Sequence, residues 1–199
     1  MWESAALSNS SYFAELRSAM FMLAEQPNTV FLGQGVGNPG TTMSPSFEGI
    51  AASKLLEMPV AEELQMGMAI GMALGGLLPI CVFPRWNFML RAADQIVNHL
   101  DRIPIYSGGG YKPKVIIRTA IPSNSPFNPG PQHDDDFSEA FGKMLRTVKV
   151  IRMPEPESIR PAYRRALRDD CRPILIEFTD RYKNQRANVV QSKELCGND

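Results

Sequence analysis

The sequence predicts an α/β fold, a parallel β-sheet sandwiched between helices. Short apolar runs, VFLG, KVIIRTA, VKVIRM and PILIEFT, recur along the 199-residue chain, each followed by loop residues. Helix-length amphipathic stretches separate these runs. Strands that alternate with helices need crossover connections, and crossovers give parallel pairing with helices on the sheet's faces. No repeat of roughly 20–50 residues interrupts the alternation, and no linker divides the chain.

Apolar period and chain breakers place helices near residues 12–26, 61–75, 86–102, 134–145 and 156–169. Strands fall near 29–33, 78–83, 114–120, 147–152 and 173–179. Loops rich in Gly, Pro and Ser occupy 33–47, 107–110 and 122–133, and in open parallel sheets function gathers at loops beyond the strands' carboxyl ends. Residues 1–11 read as an N-terminal extension, 12–182 as the domain, and 183–199 as a polar tail.

One stretch needs separate treatment. MPVAEELQMGMAIGMALGGLLPICVF, residues 58–83, runs 18 residues without a charge after Gln65, long enough to be weighed as a membrane span. Gly75, Gly76 and Pro79 interrupt it, so two shorter elements explain it better. Pro59 and Glu62 open a helix, while Leu78 to Phe83 is a buried strand that Pro84 stops. Gly67, Gly71 and Gly75 share one helical face, a smooth groove for the close approach of a second helix. The same spacing occurs in membrane dimers and in tight packing within one domain.

Composition excludes several classes. Twenty-one basic residues balance 21 acidic ones, so no whole-chain field draws the protein to nucleic acid or anionic lipid. Cys81, Cys171 and Cys196 are odd in number, far apart and without a CxxC pair, which speaks against a disulfide framework or a zinc site. The opening MWESAALSNSSYF lacks the basic start and apolar run of a signal peptide, so a reducing cytoplasm is the expected compartment.

Several residues could carry chemistry. GQGVG, Gly33 to Gly37, follows a strand as a nucleotide-binding turn would, but it lacks the GxGxxG spacing and reads better as a plain turn. His99 falls within a helix as a surface or packing residue. His133 closes a Pro/Gly-rich loop and is a candidate acid/base, with a structural role as the alternative. Asp134, Asp135 and Asp136 follow it and are expected to cap the next helix; a metal site would need more converging ligands. Glu63 suits the first turn of its helix as a dipole-favoured acid. Glu62 leads a nearly apolar helix, so its carboxyl is expected in a low-dielectric site as a proton donor whose partner lies outside this chain.

The segments TVFLGQGV, MPVAEELQMG, WNFMLRAADQIVNH, IYSGGGYKPKVIIR, GPQH and ALRDDCRPILIEF, in that order over residues 12–182, resemble the pyrimidine-binding domain of thiamine-diphosphate enzymes. The nearest resemblance is to the beta subunit of pyruvate and branched-chain 2-oxo acid dehydrogenases. It implies the transketolase-like, thiamine-diphosphate-binding fold. Glu62 would hydrogen-bond the aminopyrimidine ring nitrogen, and the proton exchange there would activate the cofactor toward a 2-oxo acid. Phe88 would lie against the pyrimidine, or be ordinary core, with Val60 and Arg91 beside it. His133 would match the family's active-site histidine and contact substrate oxygen or shuttle protons. The glycine face of the helix that starts at Glu62 would pack at a subunit interface.

The sequence departs from this pattern at named positions. Gln34 and Gly35 stand where the family carries acids, Leu64 replaces a glycine, Arg91 stands where glutamine is common, and Ser123-Asn124 replaces a glycine-containing loop. Substrate contacts and a bound potassium ion are therefore not carried over. The family's second, carboxyl-terminal domain and the GDG…N diphosphate half have no counterpart in these residues. The resemblance therefore implies a split enzyme. A separate diphosphate-binding subunit would hold most of the cofactor and its Mg2+, most simply in a heterotetramer, with a homodimer available to the chain in isolation. The reaction expected is decarboxylation of a 2-oxo acid with transfer of the fragment, by a carboligase, a decarboxylase or a dehydrogenase. The alternatives are a non-catalytic regulatory or interaction subunit that kept the fold, and a nucleotide binder using GQGVG.

Overall fold

The computed structural model describes residues 11–122 and 130–185. Ser123-Asn124, Cys196, residues 1–10 and the tail beyond 185 lie outside the described residues. Six strands form one all-parallel sheet: β1 (Thr29–Gly33), β2 (Leu55–Glu57), β3 (Leu78–Phe83), β4 (Ile116–Ile121), β5 (Val148–Arg152) and β6 (Arg172–Phe178). Their order is β2-β1-β3-β4-β6-β5. The register runs Phe31 against Ile80, Ile80 against Ile116, Ile117 against Ile174, and Val150 against Ile174.

Side chains alternate across a strand, so each strand serves two apolar layers. Phe31, Ile80, Val82, Ile116 and Leu175 point to the layer covered by α1 (Tyr12–Ala24) and α6 (Pro156–Arg168). Leu32, Cys81, Phe83, Ile117 and Ile174 point to the layer under α2 (Glu62–Leu74). All six residues of β3 are buried, as expected for the centre of a parallel sheet covered on both sides. Burial also pushes the Cys81 thiol up to about 12, against a hydrogen bond from Gln65 that lowers it.

The helices end for identifiable reasons. Ser11 accepts from the Ala14 amide at 3.2 Å and caps α1. α2 has no capping side chain, and Glu62 and Glu63 face its positive end instead. Its charge-free run divides as the breakers dictate: Gly76 takes φ +90° and turns the chain back into β3, with Leu77 donating to the Met72 carbonyl at 3.0 Å. Among the described residues no helix is long and apolar enough to cross a membrane.

Three expectations are corrected. Residues 86–102 are not one helix but α3 (Trp86–Met89), a 3₁₀ turn (Leu90–Ala92) and a π-helical turn (Gln95–Leu100), followed by α4 (Ile103–Tyr106). Trp86, Met89 and Ala92 are buried at a spacing of three, whereas Ile96 and Leu100 are spaced by four. Tight winding and then wide winding keep all five against the sheet. The helix expected over 134–145 is the shorter α5 (Ser138–Met144), preceded by Phe137, which makes no capping hydrogen bond, so the aspartates lie outside it. Asp136 still accepts the first amide of α5, that of Ser138, at 3.0 Å and pairs with Arg152, while Asp135 accepts from Asn87 at 3.1 Å. Finally, β2 joins the sheet edge unannounced, because three half-buried residues give no readable period.

Polar groups lock the layers. Arg118 on β4 and Glu177 on β6 form a fully buried bidentate pair, with Nε to Oε1 at 2.5 Å and Nη2 to Oε2 at 2.9 Å. Ser46 accepts from Arg118 at 2.8 Å, and Tyr163 and Tyr182 donate to Glu177. Burial, reinforced by Glu177, raises both phenols well above their ordinary range. On the other side of the sheet, Asp101 accepts the backbone amides of Arg146, Thr147 and Val148. Burial pushes its carboxyl up, but these donors pull it further down, for a net lowering.

Candidate functional site at the carboxyl ends of β2, β1, β3 and β4

The predicted site residues, and Gln34 with them, leave the same edge of four neighbouring strands. Gln34 follows β1, Val60 and Glu62 follow β2, Phe88 and Arg91 follow β3, and His133 lies on the connection after β4. In an open parallel sheet this edge is where a ligand crevice forms.

Glu62 is 3% exposed in the first turn of α2. Its Oε1 accepts from Gln34 Nε2 at 3.4 Å, and its Oε2 faces Arg91 Nε at 3.5 Å without a hydrogen bond. Arg91 is itself 79% exposed and, among the described residues, bonds nothing else. Glu63, the next residue, is exposed as a first-turn acid should be. Val60, 77% exposed, stands on the loop just before.

Phe88 and His133 form the second cluster. Their rings meet edge to face with centroids 5.3 Å apart. The Arg85 guanidinium lies 5.7 Å from the Phe88 centroid. Asn87 holds Asp135, two residues beyond His133, and so fastens that segment to α3. His133 Nδ1 is buried without a hydrogen-bond partner. Phe88 precedes Arg91 by three residues where the α-turn tightens to 3₁₀, a winding in which residues three apart stack on one side. The pairs Glu62–Arg91 and Phe88–His133 therefore share a face. Sequence reading missed Arg85 and the Asn87–Asp135 tie, and took Gln34 only as a departure from a family pattern. The run RWNF held the signal for the first two.

The GQGVG loop has a different occupant from the nucleotide weighed above. Glu57, at the end of β2, accepts the amides of Gly35 and Gly37 at 2.7 Å each and that of Asn38 at 3.0 Å. Burial raises the Glu57 carboxyl, and these donors more than reverse it, for a net lowering. The amides a phosphate would need are taken by the chain's own carboxylate.

α2 turns its glycine face outward. Gly67 approaches Gln95, where an added Cβ would lie 3.6 Å from Oε1, while a Cβ on Gly71 would meet nothing within 4 Å. Leu64 and Leu74 are exposed along the same helix. Ala61, Leu64, Gly67, Arg91 and Gln95 line an open groove of about 670 Å³ beside Glu62.

Known proteins are similar to this chain in sequence and in fold. A family model described as transketolase, pyrimidine binding domain, matches residues 14–182. The mitochondrial pyruvate dehydrogenase E1 component subunit beta of Saccharomyces cerevisiae is 30% identical over 166 residues, covering 81% of this chain and 44% of that protein. The corresponding subunit of Chaetosphaeridium globosum is 27% identical over 188 residues, covering 92% and 57%. The chain thus spans about half the length of these relatives. Among solved structures, a chain described as split gene transketolase, inactive beta4 tetramer, superposes with a TM-score of 0.62. It shares 20% identity, and the match covers 84% of this chain and 50% of that one, a likeness of fold. By the family model, with which the fold agrees, the chain belongs to the transketolase pyrimidine-binding domain family.

Proposed function

We propose that this chain is the pyrimidine-binding subunit of a split thiamine-diphosphate-dependent enzyme that decarboxylates a small 2-oxo acid and transfers the remaining fragment. The observation that carries this reading is Glu62, a carboxyl 3% exposed whose Oε2 has no hydrogen-bond partner. A buried polar atom in that condition calls for a polar ligand. The polar edge of an aminopyrimidine fits, because Glu62 offers one oxygen to it while Gln34 holds the other.

When bound, the cofactor would supply the carbon centre that adds to the 2-oxo acid carbonyl and would hold the electron pair left behind when carbon dioxide departs. This chain's residues do the rest of the work on their side of the site. Glu62 Oε2 holds and returns a proton. Phe88, half-buried, and Val60 offer apolar surface that keeps water from the ring. Arg91 neutralises the carboxylate while the site is open. His133, whose Nδ1 is unmatched, donates to a substrate oxygen.

The diphosphate and its Mg2+ belong to an alpha-like partner subunit, with which the chain forms a heterotetramer. The uncovered face of α2 and the groove beside Glu62 support this reading, since an interface there would bring a second chain to the carboxyl. In isolation the same face would pair two copies. Glu62→Gln tests the proposal. Mixed with its partner, the variant should associate normally and lose turnover of 2-oxo acids by about a thousandfold or more, the scale expected when an essential proton-transfer group is lost. Undiminished turnover would reject the reading, and absence of turnover in the native complex would favour the regulatory-subunit alternative.

A further inference from the structure

We infer that Gln34 is a positioning residue for Glu62, and that the glycine-rich loop carrying it is a rigid mount set by Glu57. This inference rests on the proposed role of Glu62.

The argument starts at the end of β1. A Cβ on Gly33 would lie 2.3 Å from the Val82 carbonyl oxygen, so only glycine lets the backbone leave the sheet this close to β3. One residue later Gln34 reaches the site. The loop cannot swing afterwards, because Glu57 binds three of its next four amides, those of Gly35, Gly37 and Asn38. A carboxylate that accepts several backbone amides behaves as a fixed staple. β2, which carries Glu57, is itself registered against β1 through Gly33 and Glu57.

The mount determines what Gln34 does. Glu62 presents an acceptor, so the Gln34 amide must turn its NH2 toward it, and the 3.4 Å contact to Oε1 engages that oxygen of the carboxyl. The same contact leaves Oε2 as the oxygen without a hydrogen bond. Gln34 therefore selects which oxygen meets the ring, while carrying no titratable proton itself. The charged groups on the elements packed here are Arg91 after β3, Glu57 at the end of β2, and Glu63, exposed in α2's own first turn.

The test compares Gln34→Ala and Gln34→Glu in the chain assembled with its natural partner. It measures the thiamine diphosphate Kd by calorimetry, kcat and KM against pH, and thermal unfolding. Gln34→Ala should lower kcat about tenfold and weaken the cofactor severalfold, with KM for the 2-oxo acid unchanged. Gln34→Glu can donate to Glu62 only while position 34 is protonated. Because position 34 is where the family carries an acid, the two carboxyls should share one proton, and kcat against pH should gain an ionisation that the native chain lacks. Should the alanine variant lose its fold, the glutamate variant, equal in volume, carries the test alone. Native Kd and a native pH profile in the variants would overturn the inference. If Glu62→Gln instead proves fully active, the reading of Glu62 fails first, and the two failures remain distinct.

Discussion

Phe88 and His133 meet edge to face with ring centroids 5.3 Å apart, although 45 residues separate them in the chain (133 − 88). The contact depends on a tie one residue away on α3, where Asn87 donates to Asp135 at 3.1 Å. Asn87→Ala should release the segment carrying His133. The tie is exposed, so the melting temperature should shift by only a few degrees, the effect of losing about 1 kcal/mol. If His133 acts as proposed, the kcat/KM of the chain assembled with its proposed partner should fall by about tenfold, as it does when a catalytic group is displaced. Kinetics and a thermal melt on the same preparation check both halves.

Stability should reside elsewhere, in the buried pair of Arg118 and Glu177. Arg118→Met leaves Glu177 without its counter-ion and should cost about 3–5 kcal/mol. The double variant Arg118→Met/Glu177→Leu removes both charges and should recover a large part of that loss. Urea unfolding of the four species gives the coupling directly.

The two sides of the sheet should fail at opposite ends of the pH scale. Tyr163 and Tyr182 have folded pKa values raised above the unfolded value of about 10. Their contribution is complete below that pH and is lost as pH rises beyond it. Asp101 has a folded pKa lowered below the unfolded value of about 3.9, so its contribution holds above that pH and is lost as pH falls. Tyrosinate absorbance should therefore appear for these two phenols only together with loss of circular dichroism. Asp101→Asn should shrink the acid-induced loss and leave the alkaline one unchanged.

The exposed face of α2 yields a prediction with two signs. A methyl group at Gly71 meets nothing within 4 Å, and alanine favours a helix interior over glycine by about 0.5–1 kcal/mol. Gly71→Ala should thus stabilise the isolated chain by that amount. If the face receives the partner subunit, the same substitution should weaken association, as sedimentation of the mixed subunits would report.

Much of this was legible in the residues. The runs VFLG and PILIEFT gave strands because a parallel sheet buried on both faces demands unbroken apolar segments. Gly75, Gly76 and Pro79 divided α2 from β3 because these residues do not continue a helix. The burial of Glu62 followed from its apolar neighbours. What could not be read depends on contacts distant in sequence. The break of 86–102 into three windings is set by the sheet beneath Trp86, Met89 and Ala92, not by any breaker inside it. The Asp134 to Asp136 run looked like a helix cap, and Asp136 does accept the first amide of α5 while pairing with Arg152, whereas Asn87 draws Asp135 to α3. Glu57 gave no sign that it would fill the GQGVG amides, because its edge strand is too short to show a period.

The most direct test of the account is an experimental structure of this chain with the proposed diphosphate-binding partner and thiamine diphosphate. Oε2 of Glu62 should lie about 2.6–2.9 Å from a ring nitrogen of the aminopyrimidine, the spacing of a charge-assisted hydrogen bond. An aminopyrimidine bound away from Glu62, with Arg91 still closed over Oε2, would contradict it.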